Sequence, residues 1–170
     1  MMRGVAIEDD IRHAVFDAAD RPEVRESLEG VYRELAGEIA RRGPRCDLSG
    51  RCCRFEEYGH RLYVTTIELA GFVHGLRQGG PTPPEWDGTG CPFQVARLCS
   101  VHSIRPFGCR AFFCDPTAKE WQNEVYERLH GGIKRLHEHL AVPYYYVEWR
   151  SGLRLLNLPE LRLSATPFGL

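Results

Sequence analysis

The sequence has no long hydrophobic run. No window of about 18 apolar residues occurs in its 170 residues, so no membrane span is expected. An excess of charge is also missing, because the formal net charge is −1 at pH 7. We therefore expect neither a nucleic acid nor an anionic membrane as a partner. Acidic residues interrupt the first ten positions before a signal-peptide core can form, which predicts a cytoplasmic protein.

The chain also lacks the short motifs of familiar enzyme classes. It has no Gly-rich strand-to-helix turn for a nucleotide or a methyl donor, and no serine, histidine and acid set in a nucleophile motif. Internal repeats and low-complexity tracts are absent as well. Hydrophobic residues nevertheless make up 43% of the sequence, enough for a core. The length is typical of one domain, so we expect a single domain over residues 1–170.

Hydrophobic periodicity predicts four helices. Apolar residues recur at helical spacing from Ile7 to Ala18, from Val24 to Ile39, from Ile67 to Leu76 and from Trp121 to Leu140. Asp20 is the expected cap of the second helix, with Pro22 in its first turn and Gly43 at its end. Thr65 and Glu68 form a capping box for the third helix. Pro116 suits the first position of the fourth helix, and Gly131-Gly132 is a candidate break in it.

The end of the chain predicts a small β-hairpin. Tyr144 to Trp149 is rich in residues that favour strands, and Ser151-Gly152 could turn the chain back through Leu153 to Leu158. The predicted fold class is therefore α+β: a mostly helical single domain with an irregular cysteine-cluster core and a small C-terminal β-hairpin.

The sequence does contain seven cysteines, in two groups on segments without predicted regular structure. The first group is Cys46, Cys52 and Cys53, and the second is Cys91, Cys99, Cys109 and Cys114. Thiols stay reduced in the cytoplasm, so clustered cysteines indicate metal or redox chemistry rather than disulfides. The second group alone supplies the four sulfurs of a zinc site or an iron–sulfur cluster. The spacing matches neither a zinc ribbon nor a standard ferredoxin, so it does not name the metal.

Two further features belong to these segments. Cys52 and Cys53 are neighbours, and neighbouring side chains of an extended chain point in opposite directions. We therefore expect that one of them binds metal while the other packs, or that each serves a different metal; a strained vicinal disulfide is the weaker alternative. Four arginines lie in the same loops and could offset the charge of thiolates: Arg51, Arg54, Arg105 and Arg110.

The order of these motifs resembles the YkgJ-type cysteine cluster family, which is described as zinc- or iron-chelating. Residues 46–53 are similar to its Cys-x-x-Cys-x-x-Cys-Cys segment, Cys91-Pro92-Phe93 to its Cys-Pro-Phe start, and residues 105–110 to its Arg-Pro-x-x-Cys-Arg segment. The resemblance covers residues 46–114. Ser49 occupies the place of a cysteine and His102 that of a tyrosine. His60 and His102 are therefore candidate replacements for the missing sulfur, since imidazole suits zinc and iron.

Three function hypotheses follow. The first is a protein that binds zinc or iron, with an iron–sulfur cluster as one form of the cofactor and all seven cysteines as predicted ligands. The second is an iron–sulfur or thiolate-dependent redox or group-transfer enzyme, because a flagellin lysine methylase looks similar in the cysteine region and nearby arginines can lower thiol pKa values. The third is a disulfide-stapled module, which would keep its bridges under reducing conditions.

Overall fold

The computed structural model describes residues 2–82 and 86–157, with side chains from residue 6 onwards. Seven α-helices lie in these residues: Met2–Ala19 (α1), Pro22–Arg42 (α2), Phe55–Tyr58 (α3), Thr66–Arg77 (α4), Phe107–Ala111 (α5), Lys119–His139 (α6) and Trp149–Leu156 (α7). Four short strands are Tyr63–Thr65 (β1), Gln94–Val95 (β2), Leu98–Cys99 (β3) and Tyr146–Glu148 (β4). The predicted mostly helical α+β single domain is confirmed. No helix in the described ranges is long and apolar enough to cross a membrane.

Helix α2 ends as predicted but begins differently. At its end Gly43 has a φ of 62°, and its N–H donates to the carbonyl of Ile39 at 2.8 Å. The predicted cap Asp20 is wrong, because the N-cap is Arg21 and no side chain caps the helix. The carboxylate of Asp20 instead accepts from the Arg77 guanidinium at 2.8 Å. This ion pair joins the loop before α2 to the end of α4.

The predicted start of helix α4 is confirmed in detail. The Thr65 N–H donates to the Glu68 carboxylate at 2.8 Å, and the Glu68 N–H donates to the Thr65 hydroxyl at 3.4 Å. These two bonds satisfy amide groups that a helix N-terminus otherwise leaves without partners. Helix α6 exists as predicted, but two details of its prediction are wrong. Pro116 lies in a 3-10 turn over Pro116–Ala118 that precedes the helix, and the helix runs through Gly131 and Gly132 without the candidate break.

The core forms around helix α4, which packs against α1 and α2, while α2 also packs against α6. Three large rings, from different parts of the chain, meet in this core. The centroid of Phe72 lies 4.8 Å from Trp149 and 5.2 Å from Phe93, and all three side chains are almost fully buried. Burial of each such side chain stabilises the fold by about 1.5–3 kcal/mol. The first segment of α7 and the loop after Cys91 are therefore fixed to the helical core.

The predicted C-terminal hairpin is wrong, although its first strand exists. Strand β4 pairs antiparallel with β1, with Val64 opposite Val147, rather than with the residues that follow it. The chain after β4 forms α7, because the buried residues Trp149, Leu153 and Leu156 recur at helical spacing. Leu158, the end of the predicted second strand, lies outside the described residues.

Helix α5, which carries Cys109, is anchored by a buried carboxylate. Glu68 accepts a hydrogen bond from the Phe107 N–H at 3.0 Å in addition to its bonds with Thr65. Burial raises the pKa of Glu68 to about 7. Gly108 permits the close approach of α5 to the segment before β1, because a Cβ there would lie 2.7 Å from the Leu62 side chain. The position of Cys109 is therefore set by α4 and β1.

Candidate metal centre

All seven cysteines lie within the described residues and are free thiols. Cys52 and Cys53 end a 3-10 turn over Arg51–Cys53, Cys99 ends β3 and Cys109 lies in α5. Cys46, Cys91 and Cys114 lie in segments without regular structure. Cys53 and Cys91 are buried, Cys46 is exposed, and the other four are half-buried.

Three other cysteines lie around Cys53. The Cys53 thiol lies near enough to Cys52, Cys91 and Cys99 for each of them to raise its pKa. We call these four residues the thiol cluster. The Sγ atoms of Cys52 and Cys53 are 3.9 Å apart. Four sulfurs arranged tetrahedrally at about 2.3 Å from a zinc ion would lie about 3.8 Å from one another. The separation within this pair is therefore compatible with ligation of one ion.

The expectation that Cys52 and Cys53 point apart is wrong, because the chain here is a tight turn and not extended. The Cys53 N–H donates to the Gly50 carbonyl at 3.1 Å. Gly50 has a φ of 69°, and a Cβ on it would lie 2.6 Å from the carbonyl oxygen of Arg97. Glycine at this position thus permits both the turn and the close approach of the β2–β3 hairpin. Both neighbouring thiols consequently belong to the thiol cluster.

Backbone hydrogen bonds bring Cys91 and Cys99 to the same place. The Cys91 N–H donates to the Cys53 carbonyl at 2.7 Å, and the Gln94 side-chain amide donates to the Gly50 carbonyl at 2.9 Å. Gln94 pairs with Cys99 across the β2–β3 hairpin. The hairpin and the 3-10 turn therefore form one unit that holds all four thiols.

The thiols of the cluster shift one another's pKa values in opposite directions. Interactions with Cys52, Cys91 and Cys99 raise the pKa of Cys53 far above its ordinary value. The interaction with Cys53 lowers the pKa of Cys52 to about 6 and that of Cys99 to about 7. The same interaction lowers the pKa of Cys91. Three of the four thiols are therefore shifted towards the thiolate form.

Two buried donors without ordinary acceptors lie beside the thiol cluster. Within the described residues, the Nε of Arg105 and the Nε1 of Trp149 are buried and have no conventional hydrogen-bond partner. Beyond the effect of Cys53, the positive charge of Arg105 lowers the pKa of Cys52 and Cys99, and the Trp149 N–H lowers the pKa of Cys91. Such donors stabilise negative sulfur, so the surroundings suit a charged thiolate set.

Of the four arginines in these loops, only Arg105 acts on the thiol cluster. Arg51 lies over the Tyr58 ring at 4.5 Å, and Arg54 forms an ion pair with Glu57. Arg110 lies over the Tyr32 ring at 4.1 Å. The predicted offset of thiolate charge is therefore assigned to one arginine.

Cys109 lies beside the thiol cluster without joining its central contacts. Burial raises the pKa of Cys109, and the charges of Cys91, Cys52 and Cys99 raise it further. The Cys109 thiol is thus near enough to respond to ionisation of the cluster. It stays protonated while the cluster carries negative charge.

Cys46 and Cys114 lie in two segments that a hydrogen bond joins, and we call these two residues the peripheral pair. The Cys114 thiol lies 3.4 Å from the Ser49 hydroxyl. The backbone N–H of Arg45 donates to the Asp115 carboxylate at 3.2 Å, which holds residues 45–49 against residues 114–115. Ser49, where the resemblance expects a cysteine, therefore faces the peripheral pair.

The two candidate histidines do not take the place of the missing sulfur. The His60 Nε2 lies 3.4 Å from the backbone carbonyl oxygen of Cys52, and its ring stacks on Phe112 with centroids 6.1 Å apart. His102 is exposed, and desolvation and the charge of Arg105 lower its pKa. Neither imidazole makes a hydrogen bond to a thiol within the described residues.

The thiol cluster is a set of neighbouring thiols rather than an assembled coordination shell. Across residues 2–82 and 86–157, no group of three or more histidine, cysteine, aspartate or glutamate side chains is arranged so that it could hold a metal ion. Comparisons with protein-family models, with curated proteins and with solved structures gave no match. The resemblance of the cysteine segments therefore stays a prediction.

Proposed function

We propose that the chain is a metal-binding protein of a reducing, cytoplasmic environment, and that the thiol cluster holds its zinc or iron. The proposal rests on one observation: the 3-10 turn and the β2–β3 hairpin bring Cys52, Cys53, Cys91 and Cys99 together, with the Sγ atoms of Cys52 and Cys53 3.9 Å apart. Metal ligands must be thiolates. Three of the four sulfurs already favour the required form.

The surroundings support the same proposal. Four thiolates on a divalent ion carry a net charge of −2, which must be offset when the site is half-buried. Arg105 supplies a positive charge, and Trp149 supplies an N–H beside Cys91. Neither donor has another conventional partner for its buried nitrogen within the described residues. The donor set and its surroundings therefore fit a sulfur-bound cation.

The separation between Cys52 and Cys53 suits ligation of one common metal atom. Two cysteines on one zinc ion, or on one iron of a [2Fe–2S] cluster, have their sulfurs this close. These two sulfurs are 3.9 Å apart, which suits shared ligation of a single ion. Cys46, Cys109 and Cys114 stay predicted ligands, and the contacts support the other four.

The proposal is tested by purifying the full chain without oxygen and measuring zinc, iron and acid-labile sulfide together with the absorption spectrum. We expect one zinc or iron per chain. Absence of colour indicates zinc, while a brown protein with sulfide indicates an iron–sulfur cluster. A folded, fully reduced chain that takes up neither metal when each is supplied in excess would contradict the proposal.

Proton release gives a second test. Four cysteines with ordinary pKa values of about 8.5 would release about three protons when they bind zinc at pH 8. Because Cys52, Cys91 and Cys99 have lowered pKa values, we expect clearly fewer protons to be released per zinc at the same pH. Titration of the metal-free chain with zinc in a weak buffer containing a pH indicator measures this number.

A thiolate-dependent enzyme is the second candidate, because Cys52 combines a lowered pKa with access to an open cavity. This candidate requires that Cys52 reacts with iodoacetamide in the native, metal-loaded chain at pH 7. If Cys52 is protected there and becomes reactive only after metal removal, the enzyme candidate loses its nucleophile while the metal proposal gains support.

A further inference from the structure

An open cavity of about 270 Å³ lies beside the thiol cluster, between α5 and the β1–β4 sheet. The Cys52 thiol forms part of its wall. This volume lies at the small end of the range for ligand sites and suits a single ring better than a larger molecule. The cavity is separate from the contacts that hold the four thiols together.

Aromatic residues from separate segments of the chain form much of the cavity wall. Tyr63 and Tyr146, from the paired strands β1 and β4, place their ring centroids 5.4 Å apart. Phe112 and His60 stack with an interplanar angle of 7°. Tyr63, Tyr146 and Phe112 are 40%, 42% and 37% exposed, which is high for large side chains in a folded domain. Exposed ring faces of this kind are available to stack on a planar ligand.

Arg61 is the permanent cation of the cavity wall, and Cys52, whose pKa is lowered, is an acidic group of the same wall. Arg61 is exposed, and within the described residues its guanidinium has neither a carboxylate partner nor a hydrogen bond. No aspartate or glutamate of the described residues lines this cavity. The hydroxyls of Tyr126 and Tyr146, 3.3 Å apart, are further polar groups of the wall. A negative group of a ligand is therefore favoured at the Arg61 end of the cavity.

We infer that this cavity binds a small aromatic carboxylate. The ring packs against the faces of Tyr63, Tyr146 and Phe112, and the carboxylate pairs with Arg61, whose planar guanidinium can donate two parallel hydrogen bonds. The ring then lies near the Cys52 thiol. The inference goes beyond metal binding and depends on the cavity walls alone, so it applies with or without an ion in the thiol cluster.

Benzoate is the probe for the test, with the full reduced chain observed by ligand-detected saturation-transfer NMR. Two matched compounds separate the two contributions: cyclohexanecarboxylate keeps the charge without the aromatic ring, and benzyl alcohol keeps the ring without the charge. We expect saturable benzoate binding that is at least about threefold tighter than binding of either compound, because only benzoate makes both contacts.

Variants locate the binding. Arg61→Gln should weaken benzoate by about three- to tenfold and leave benzyl alcohol unchanged, since it removes one charge-assisted contact. Arg33→Gln, which removes an exposed charge from α2, is the matched control and should change nothing. Tyr146→Leu should weaken benzoate and benzyl alcohol together, and circular dichroism shows whether each variant is folded.

The inference is overturned if benzoate does not bind saturably, if cyclohexanecarboxylate binds equally well, or if Arg61→Gln and Arg33→Gln behave alike. Metal analysis of the same samples keeps the two proposals apart. If the chain binds benzoate but takes up no metal, only the proposed function is contradicted. If the chain takes up metal but does not bind benzoate, only this inference is contradicted.

Discussion

The thiol cluster and the peripheral pair are built from the same residue type but have different surroundings. In the thiol cluster, Cys53 lies among three other thiols and is 5% exposed. In the peripheral pair, Cys46 is exposed and the contact of Cys114 is the Ser49 hydroxyl. A buried free cysteine packs as a small apolar side chain, whereas several cysteines placed together can also hold an ion. The comparison teaches that the seven cysteines are not equivalent.

This difference bears on Ser49, which occupies a position where the resemblance expects a cysteine. Serine is a poor ligand for a soft metal site, so its place matters. Its hydroxyl lies against Cys114 and not against a thiol of the cluster. Ser49 therefore lies beside Cys114 and not within the four-sulfur set around Cys53 that we propose as the metal site.

The largest expected effect is the loss of metal on removal of the central thiol. Cys53→Ala should lower zinc affinity by about 100-fold or more, because this residue lies among the other three sulfurs. Cys46→Ala is the matched control from the peripheral pair and should keep the metal content of the parent chain. Chelator competition followed by metal analysis measures both. Equal losses in the two variants would remove the distinction between the regions.

The second effect concerns stability and pH at Glu68, which holds α5 and Cys109 in place. Burial raises the pKa of Glu68 to about 7 from its ordinary 4.5, so the folded chain binds this proton more tightly than the unfolded chain. The resulting stabilisation, about 3 kcal/mol at most, is complete below pH 4.5 and is lost as the pH rises to 7.

Glu68→Gln should therefore flatten the change in unfolding free energy between pH 4.5 and 7. Urea unfolding of the metal-free chain at several pH values measures it, with Glu57→Gln on the exposed side of the Arg54 ion pair as the control. Parallel pH profiles for the parent chain and Glu68→Gln would show that this carboxylate is not the titrating group.

The third effect is a smaller loss at the donor beside Cys91. Trp149→Phe keeps the ring in the core and removes only the buried N–H, so we expect about a tenfold weaker metal affinity. Trp121→Phe on α6 is the control, since its ring packs against Phe113 away from the thiols. An unchanged affinity in Trp149→Phe would show that this N–H does not act on the sulfur.

The smallest expected effect is at Ser49. Ser49→Cys adds a thiol beside Cys114 and should leave the metal affinity of the thiol cluster within about twofold of the parent, because groups without shared partners act independently. The same chelator competition measures it. A tenfold gain would mean that the peripheral pair belongs to the same metal site after all.

Local signals in the sequence predicted most of the helical fold. The capping box of Thr65 and Glu68 and the terminal Gly43 use hydrogen bonds within a few residues, so they are visible in the sequence. The same approach failed after Trp149. There the strand-rich tyrosines suggested a hairpin, whereas the spacing of Trp149, Leu153 and Leu156 already indicated a helix.

The sequence shows which cysteines are candidate ligands, but it does not show which of them lie together. The sequence identified all seven cysteines, while their division depends on the turn at Gly50 and on the hydrogen bond between Cys91 and Cys53. Neither contact has a local signal. Trp149 is likewise far from every cysteine in sequence, and only the folding of α7 brings its N–H to Cys91.

X-ray absorption at the metal edge tests the central claim most directly. The sample is the anaerobically purified chain, compared with a double variant that replaces Cys46 and Cys114 by serine. We predict the same shell of four sulfurs at about 2.3 Å in both samples. A shell of nitrogen or oxygen ligands, or one that loses sulfur in the double variant, would contradict the assignment of the metal to Cys52, Cys53, Cys91 and Cys99.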